Sequence, residues 1–157
     1  MTQFEIVVGS MLGATEYVAD AVGEKLEQLG ISFRIHLAPD LHELDQAAVW
    51  LICSSTHGAG DLPDNIQTFA GQLHKTSLRG IRYLLIGLGD SSYDTFCEGG
   101  KQLHRLMQQA GAEAIAEPCY IDVLSHPIPE DEAVSWLADC LSQCEWQLQY
   151  SATGTTH

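Results

Sequence analysis

Apolar residues along this chain fall into short runs that alternate with helical stripes. Phe4–Val8 is a brief apolar-rich run ending at Gly9, which predicts a strand. From Ala14 to Leu29 the period lengthens. Val18, Val22, Leu26 and Leu29 recur on one helical face, and Gly30 follows as a stop signal. Ser32–Leu37 alternates Phe33, Ile35 and Leu37, the period of a second strand, and Leu41–Gln46 carries only a weak helical pattern. Ala48–Cys53 is apolar throughout, which predicts a third strand buried on both faces. Asp64–Lys75 reads as a helix, Ile81–Leu88 as a fourth strand, and Cys97–Gln109 as a helix stopped near Gly111. Cys119–Leu124 is a fifth strand. Glu130–Leu148 is a last helix with Ala133, Trp136, Leu137, Cys140, Leu141 and Cys144 facing inward.

Five strands alternating with helices predict an α/β fold: a parallel sheet covered on both faces. Right-handed crossovers leave few topologies, and for a chain of 157 residues the flavodoxin-like three-layer order 2-1-3-4-5 fits best. The expected organisation is one domain over residues 1–148 and a disordered tail over 149–157.

Charge narrows the partners. Seven Lys and Arg stand against 21 Asp and Glu, for a formal net charge of −14. Such a balance argues against nucleic acid and anionic membranes, and suits basic protein partners. Five cysteines without repeated spacing read as reduced thiols. No run reaches transmembrane length, and the start MTQFEIVVGS lacks the pattern of a signal peptide. The expected place is the cytoplasm and the expected state a monomer.

Ligands of such sheets bind beyond the carboxyl ends of the strands, and three loops fall there. Loop one, GSMLGATE (residues 9–16), offers the Ser10 and Thr15 hydroxyls, Gly13, and the first N–H groups of a helix. That is a neutral anion cradle. A Walker A lysine is missing, which argues against ATP or GTP hydrolysis. Loop two, SSTHGAGDLPDN (54–65), brings Ser54, Ser55, Thr56 and the flat ring of His57. No ligand set for a metal stands around that histidine. Loop three, GLGDSSYDTFCE (87–98), brings a second flat ring, Tyr93. Two rings beside a neutral phosphate cradle point to a planar phosphorylated cofactor. No Lys or Arg lies in the three loops, whereas Glu16, Asp61, Asp64, Asp90, Asp94 and Glu98 crowd them. These carboxylates oppose added negative charge on a cofactor.

The segments SMLGAT, STHGAGDLPDN and GDSSYDTFC, with IPEDEAVSWL near the C-terminus, resemble the flavodoxins, most closely the MioC-type short-chain members. The resemblance spans about residues 3–146 and implies FMN as cofactor. It implies a phosphate loop of Ser10, Met11, Leu12, Gly13, Ala14 and Thr15. A second flavin loop would run through Ser54, Ser55, Thr56, His57, Gly58 and Ala59, with the Gly58–Ala59 peptide near flavin N5. The third would use Gly89, Asp90, Tyr93, Phe96 and Cys97. His57 and Tyr93 would flank the ring, Phe96 would pack beneath it, and Asp90 and Cys97 would meet its pyrimidine edge through backbone groups. Two positions depart from the family pattern: Leu12 replaces a common hydroxyl, and His57 a common Trp or Tyr. Both imply weakened FMN binding. The implied role is electron transfer from an NADPH-dependent flavodoxin reductase to a radical-SAM-type or other acceptor enzyme, with no catalytic residue and no metal. A quinone-reductase-type flavin enzyme and a non-redox FMN-binding module are the alternatives.

Overall fold

The computed structural model describes residues 2–10, 13–57 and 60–143. The element order is β1 Phe4–Gly9, α1 Ala14–Gln28, β2 Phe33–His36, β3 Val49–Ser54, α2 Gln67–Leu73, β4 Arg82–Gly89, α3 Glu98–Gln109, β5 Glu113–Ala114, β6 Cys119–Asp122 and α4 Pro129–Gln143. All strand pairs are parallel, in the order β2-β1-β3-β4-β5, and β6 also pairs with β4. The predicted order 2-1-3-4-5 is therefore the observed one, with the fifth position filled by two short strands.

Alternation along the strands divides the core. Phe4, Ile6, Val8, Val49, Leu51, Cys53, Leu84 and Ile86 face α1 and α4. Val7, Trp50, Ile52, Tyr83 and Leu85 face α2 and α3, where Phe69, Leu73, Leu103 and Met107 complete the layer. Both faces are apolar because helices cover both, as the unbroken hydrophobic run of the third strand predicts.

Several boundaries differ from the sequence pattern. The helix expected over Asp64–Lys75 begins as a 3-10 turn, Asp64–Ile66, and its α-helical part is only Gln67–Leu73. The weak pattern at Leu41–Gln46 becomes a 3-10 turn over Leu41–Glu43, whose Asp40 cap accepts from the His42 amide at 3.1 Å. The fifth strand lies over Cys119–Asp122, and a further two-residue strand, Glu113–Ala114, pairs with the earlier part of β4. Pro118, just before β6, has no N–H to give to a ladder. The third helix starts at Glu98 because Cys97 takes a left-handed backbone, and α4 starts one residue early with Pro129 at a position that suits proline. Cys144 and the expected tail over 149–157 lie outside the described residues. Cys53, Cys97 and Cys119 are free thiols. No described helix is long and apolar enough to cross a membrane.

One charged group is fully enclosed. Glu5, on β1, is 0% exposed. Its carboxylate accepts from Nε and Nη2 of the Arg34 guanidinium, from the Asp45 amide at 2.7 Å, and has His36 Nε2 at 2.9 Å.

Candidate FMN site

Register sets the site. Gly9 pairs with Ser54 and Ser54 with Gly87, so β1, β3 and β4 end side by side and release the three loops together. Among the described residues, the resulting cavity of about 430 Å³ is lined by Ser10, Ala14 and Thr15 from loop one and by Ser55, Thr56 and His57 from loop two. Gly89, Asp90, Tyr93 and Thr95 come from loop three.

Loop one turns into α1 through Gly13, whose φ of 90° is left-handed and suits glycine. The Gly13 amide donates to Ser10 Oγ at 3.0 Å, so the serine closes the arch and keeps its own O–H free to donate. Thr15, in the first turn of α1, is fully buried, and its Oγ1 has no hydrogen-bond partner among the described residues. A buried orphan hydroxyl at a helix N-terminus is costly unless something fills the space it faces. A phosphate fits: the helix end supplies positive potential and N–H donors, and Ser10 and Thr15 supply hydroxyl donors. The donor set therefore passes the chemical test for a phosphorylated cofactor.

Loop two is fastened from two sides. The His57 amide donates to the Asp61 carbonyl at 2.7 Å and the Asp61 amide to the His57 carbonyl at 2.8 Å, closing a tight turn. Thr56 Oγ1 accepts from the Gly99 amide at 2.9 Å, and Gln102 Nε2 donates to the Gly60 carbonyl at 2.5 Å, tying the loop to α3. His57 is exposed within this frame.

Loop three is held by carboxylates. Asp90 Oδ1 accepts from the Ser92 amide at 2.8 Å and from its hydroxyl at 2.5 Å, and the Tyr93 amide donates to the Asp90 carbonyl at 3.1 Å. Asp122, at the end of β6, accepts from the Ser91 and Leu124 amides at 3.2 and 3.0 Å. Hydrogen bonds from Ser91, then Leu124 and Ser125, hold its carboxyl below the usual range against the opposing effect of burial. This frame leaves the Tyr93 ring 64% exposed at the cavity.

The residues expected at the site do not all reach it. Ser54 is buried, and its hydroxyl donates to the Ser55 carbonyl at 2.9 Å, a fixed structural use. Phe96 is half-buried, and the Lys101 ammonium lies 5.8 Å from the centres of both the Phe96 and Tyr120 rings, a cation on aromatic faces. Cys97 is buried, with its thiol pushed up to about 12 by burial, and Sγ lies 3.6 Å from the Gly87 carbonyl. Its backbone is the one non-glycine with positive φ, 54°, among the described residues. A Cβ on Gly89 would stand 2.6 Å from the Cys97 nitrogen, so only glycine allows this crossing. Met11, Leu12, Gly58 and Ala59 lie outside the described residues. Thr95 lines the cavity without having been singled out; its signal was its place in the motif, two residues after Tyr93. Among the described residues no group of three or more metal-ligating side chains occurs.

The flavodoxin family model matches residues 6–136. The chain belongs to the flavodoxin family. Protein MioC of Escherichia coli O157:H7 is 40% identical over 144 residues, covering 90% of this chain and 98% of that protein. Flavodoxin YqcA of Escherichia coli (strain K12) is 36% identical over 141 residues, covering 87% and 95%. Among solved structures, a cysteine-to-alanine mutant of a flavodoxin from Pseudomonas aeruginosa superposes with a TM-score of 0.80 at 33% identity, covering 88% of this chain and 95% of that one. This flavodoxin is of the MioC type, its cofactor is FMN, and its role is electron transfer.

The electrostatics of the rim are more mixed than the loop sequences alone. Glu98 pairs with Arg105 at 2.8 Å, and Lys101 stands beside loop three. Asp61, Asp64 and Asp94 are exposed, each within or beside a cavity loop.

Proposed function

We propose that this flavodoxin is an electron carrier rather than an enzyme. In this reading it acts as a cytoplasmic monomer between an NADPH-dependent flavodoxin reductase and an acceptor enzyme of radical-SAM or similar type. Bound FMN supplies one- and two-electron chemistry. The chain's residues would do the rest: Ser10, Gly13, Ala14 and Thr15 would hold the phosphate. His57 and Tyr93 would flank the ring, with Ser55 and Thr56 of loop two and Gly89, Asp90 and Thr95 of loop three lining the same cavity. Ser54, Phe96 and Cys97 support these loops from behind.

The observation that carries the reading is the juxtaposition of a buried Thr15 hydroxyl without a partner among the described residues, a helix N-terminus and two rings around one cavity. FMN is expected to bind stoichiometrically and riboflavin much more weakly, as flavin-fluorescence titration would record. Tyr93→Ala should weaken FMN by about 1–2 kcal/mol through lost stacking. Equal affinities for FMN and riboflavin would remove the phosphate assignment.

The partner assignment has its own test. Exposed Asp61, Asp64 and Asp94 steer a basic reductase toward the flavin edge. Screening shortens the reach of such charges from about 10 Å at 0.1 M salt to about 3 Å at 1 M. Reduction by a basic reductase should therefore slow with salt in stopped flow. The triple change Asp61→Asn, Asp64→Asn, Asp94→Asn should slow it at low salt and flatten the dependence. An unchanged rate and slope would confine these acids to solubility or redox tuning.

A further inference from the structure

One side chain joins the ends of three neighbouring strands. Asn65 belongs to loop two and to the 3-10 turn before α2. Its Oδ1 accepts from the Ser10 amide at 2.9 Å, across 55 residues of sequence. Its Nδ2 donates to the Val8 carbonyl at 2.7 Å and to the Leu37 carbonyl at 2.9 Å. The partners fix the orientation of the amide, since two carbonyls can be met only by the NH2 and an N–H only by the oxygen. Val8 lies in β1, Leu37 follows β2, and Asn65 itself comes from the loop after β3. Those strands are adjacent in the order β2-β1-β3, so Asn65 bridges the point where the connections diverge to opposite sides of the sheet.

We propose that Asn65 is a positioning residue for the flavin phosphate: it fixes the exit of loop one from β1 and so sets the preference for FMN over unphosphorylated flavin. The proposal rests on the assignment of Ser10–Thr15 as the phosphate loop. Asn65 does not line the cavity. It acts by ordering the arch before the ligand arrives. With the Ser10 amide committed to Asn65, the Ser10 hydroxyl is placed to accept from the Gly13 amide, and α1 begins with Thr15 facing the cavity. Without this tie, the loop must be ordered by the phosphate itself, and that ordering is subtracted from affinity. Tyr93 lies on loop three, and His57, though on loop two, is held by its own pair of hydrogen bonds with Asp61, so binding of the ring alone should depend on Asn65 far less.

The test compares FMN, riboflavin and inorganic phosphate on the full-length apoprotein, wild type and Asn65→Ala. The variant should raise the FMN dissociation constant roughly tenfold and the riboflavin constant less than about threefold. Inorganic phosphate should compete with FMN less well in the variant. Equal losses for FMN and riboflavin, or no loss for either, would overturn the role of Asn65 while leaving the phosphate loop standing. A wild-type protein that does not distinguish the two flavins would overturn the phosphate-loop assignment itself. Should Asn65→Ala fail to fold, amide exchange in the wild-type apoprotein decides. The Ser10 amide should then exchange as slowly as the β1 amides, and fast exchange at Ser10 would refute the tie.

Discussion

Thr15→Val should weaken FMN binding by about 1.5–3 kcal/mol, the worth of a hydrogen bond to a charged group. The apoprotein should be as stable as the parent or more stable. These opposite effects have one cause. Thr15 Oγ1 is buried and has no partner among the described residues, and an unsatisfied buried polar atom costs about 1–3 kcal/mol. Valine keeps the branched shape and removes the unmet hydroxyl, so the apoprotein loses a penalty while the phosphate loses a donor. Urea unfolding of the apoprotein and flavin-fluorescence titration measure the two sides. Thr15→Ser should retain most of the affinity. A valine variant that unfolds more readily yet binds FMN normally would place the hydroxyl in the fold rather than in the site.

Glu5→Gln should cost about 3 kcal/mol of folding stability at neutral pH, the lower end for breaking a buried pair. The lower end applies because Arg34 is 49% exposed and can turn to water when its partner is gone. Burial on its own would raise the Glu5 carboxyl. Hydrogen bonds from Arg34, then His36 and the Asp45 amide, outweigh that and hold it below its ordinary 4.5. A carboxyl with a lowered folded value contributes its full stability above the unfolded value near 4.5, and loses it as pH falls through the folded value. Denaturation midpoints should therefore drop below about pH 4.5 in the parent, and the glutamine variant should show a shallower acid limb. Parallel acid limbs in the two proteins would show that Glu5 does not drive the acid transition.

The strand runs and their order were legible because the central strands, Glu5 apart, are apolar on both faces, and the loops were legible because Gly9, Ser54 and Gly89 end those strands at one edge of the sheet. The layered fold follows from these local patterns. What escaped was built from partners distant in sequence. In FEIVVG, Glu5 looks like a lone charge in a strand, since Arg34 and His36 meet it only after β2 pairs with β1. Asn65 reads as a turn residue after Pro63 and Asp64, and nothing nearby announces a bond to Ser10. Phe96 and Cys97 were placed by motif, whereas the left-handed turn at Cys97 is a property of its crossing with Gly89. The two residues of β5 are too few for any period to register.

That small strand has a consequence for how the molecule meets its own copies. At this end of the sheet the pairing positions are divided between Glu113–Ala114 and Cys119–Asp122, with Pro118 between them. A long, flat, uninterrupted border would offer a row of free amides and carbonyls to any extended segment that drifted past. Here the row is broken after two residues and resumes for four, too short a stretch on either side for a foreign strand to settle in register. The opposite border, β2, is also only four residues long and carries the charged Arg34. An open sheet with both borders cut short can be kept at high concentration without inviting its neighbours to extend it.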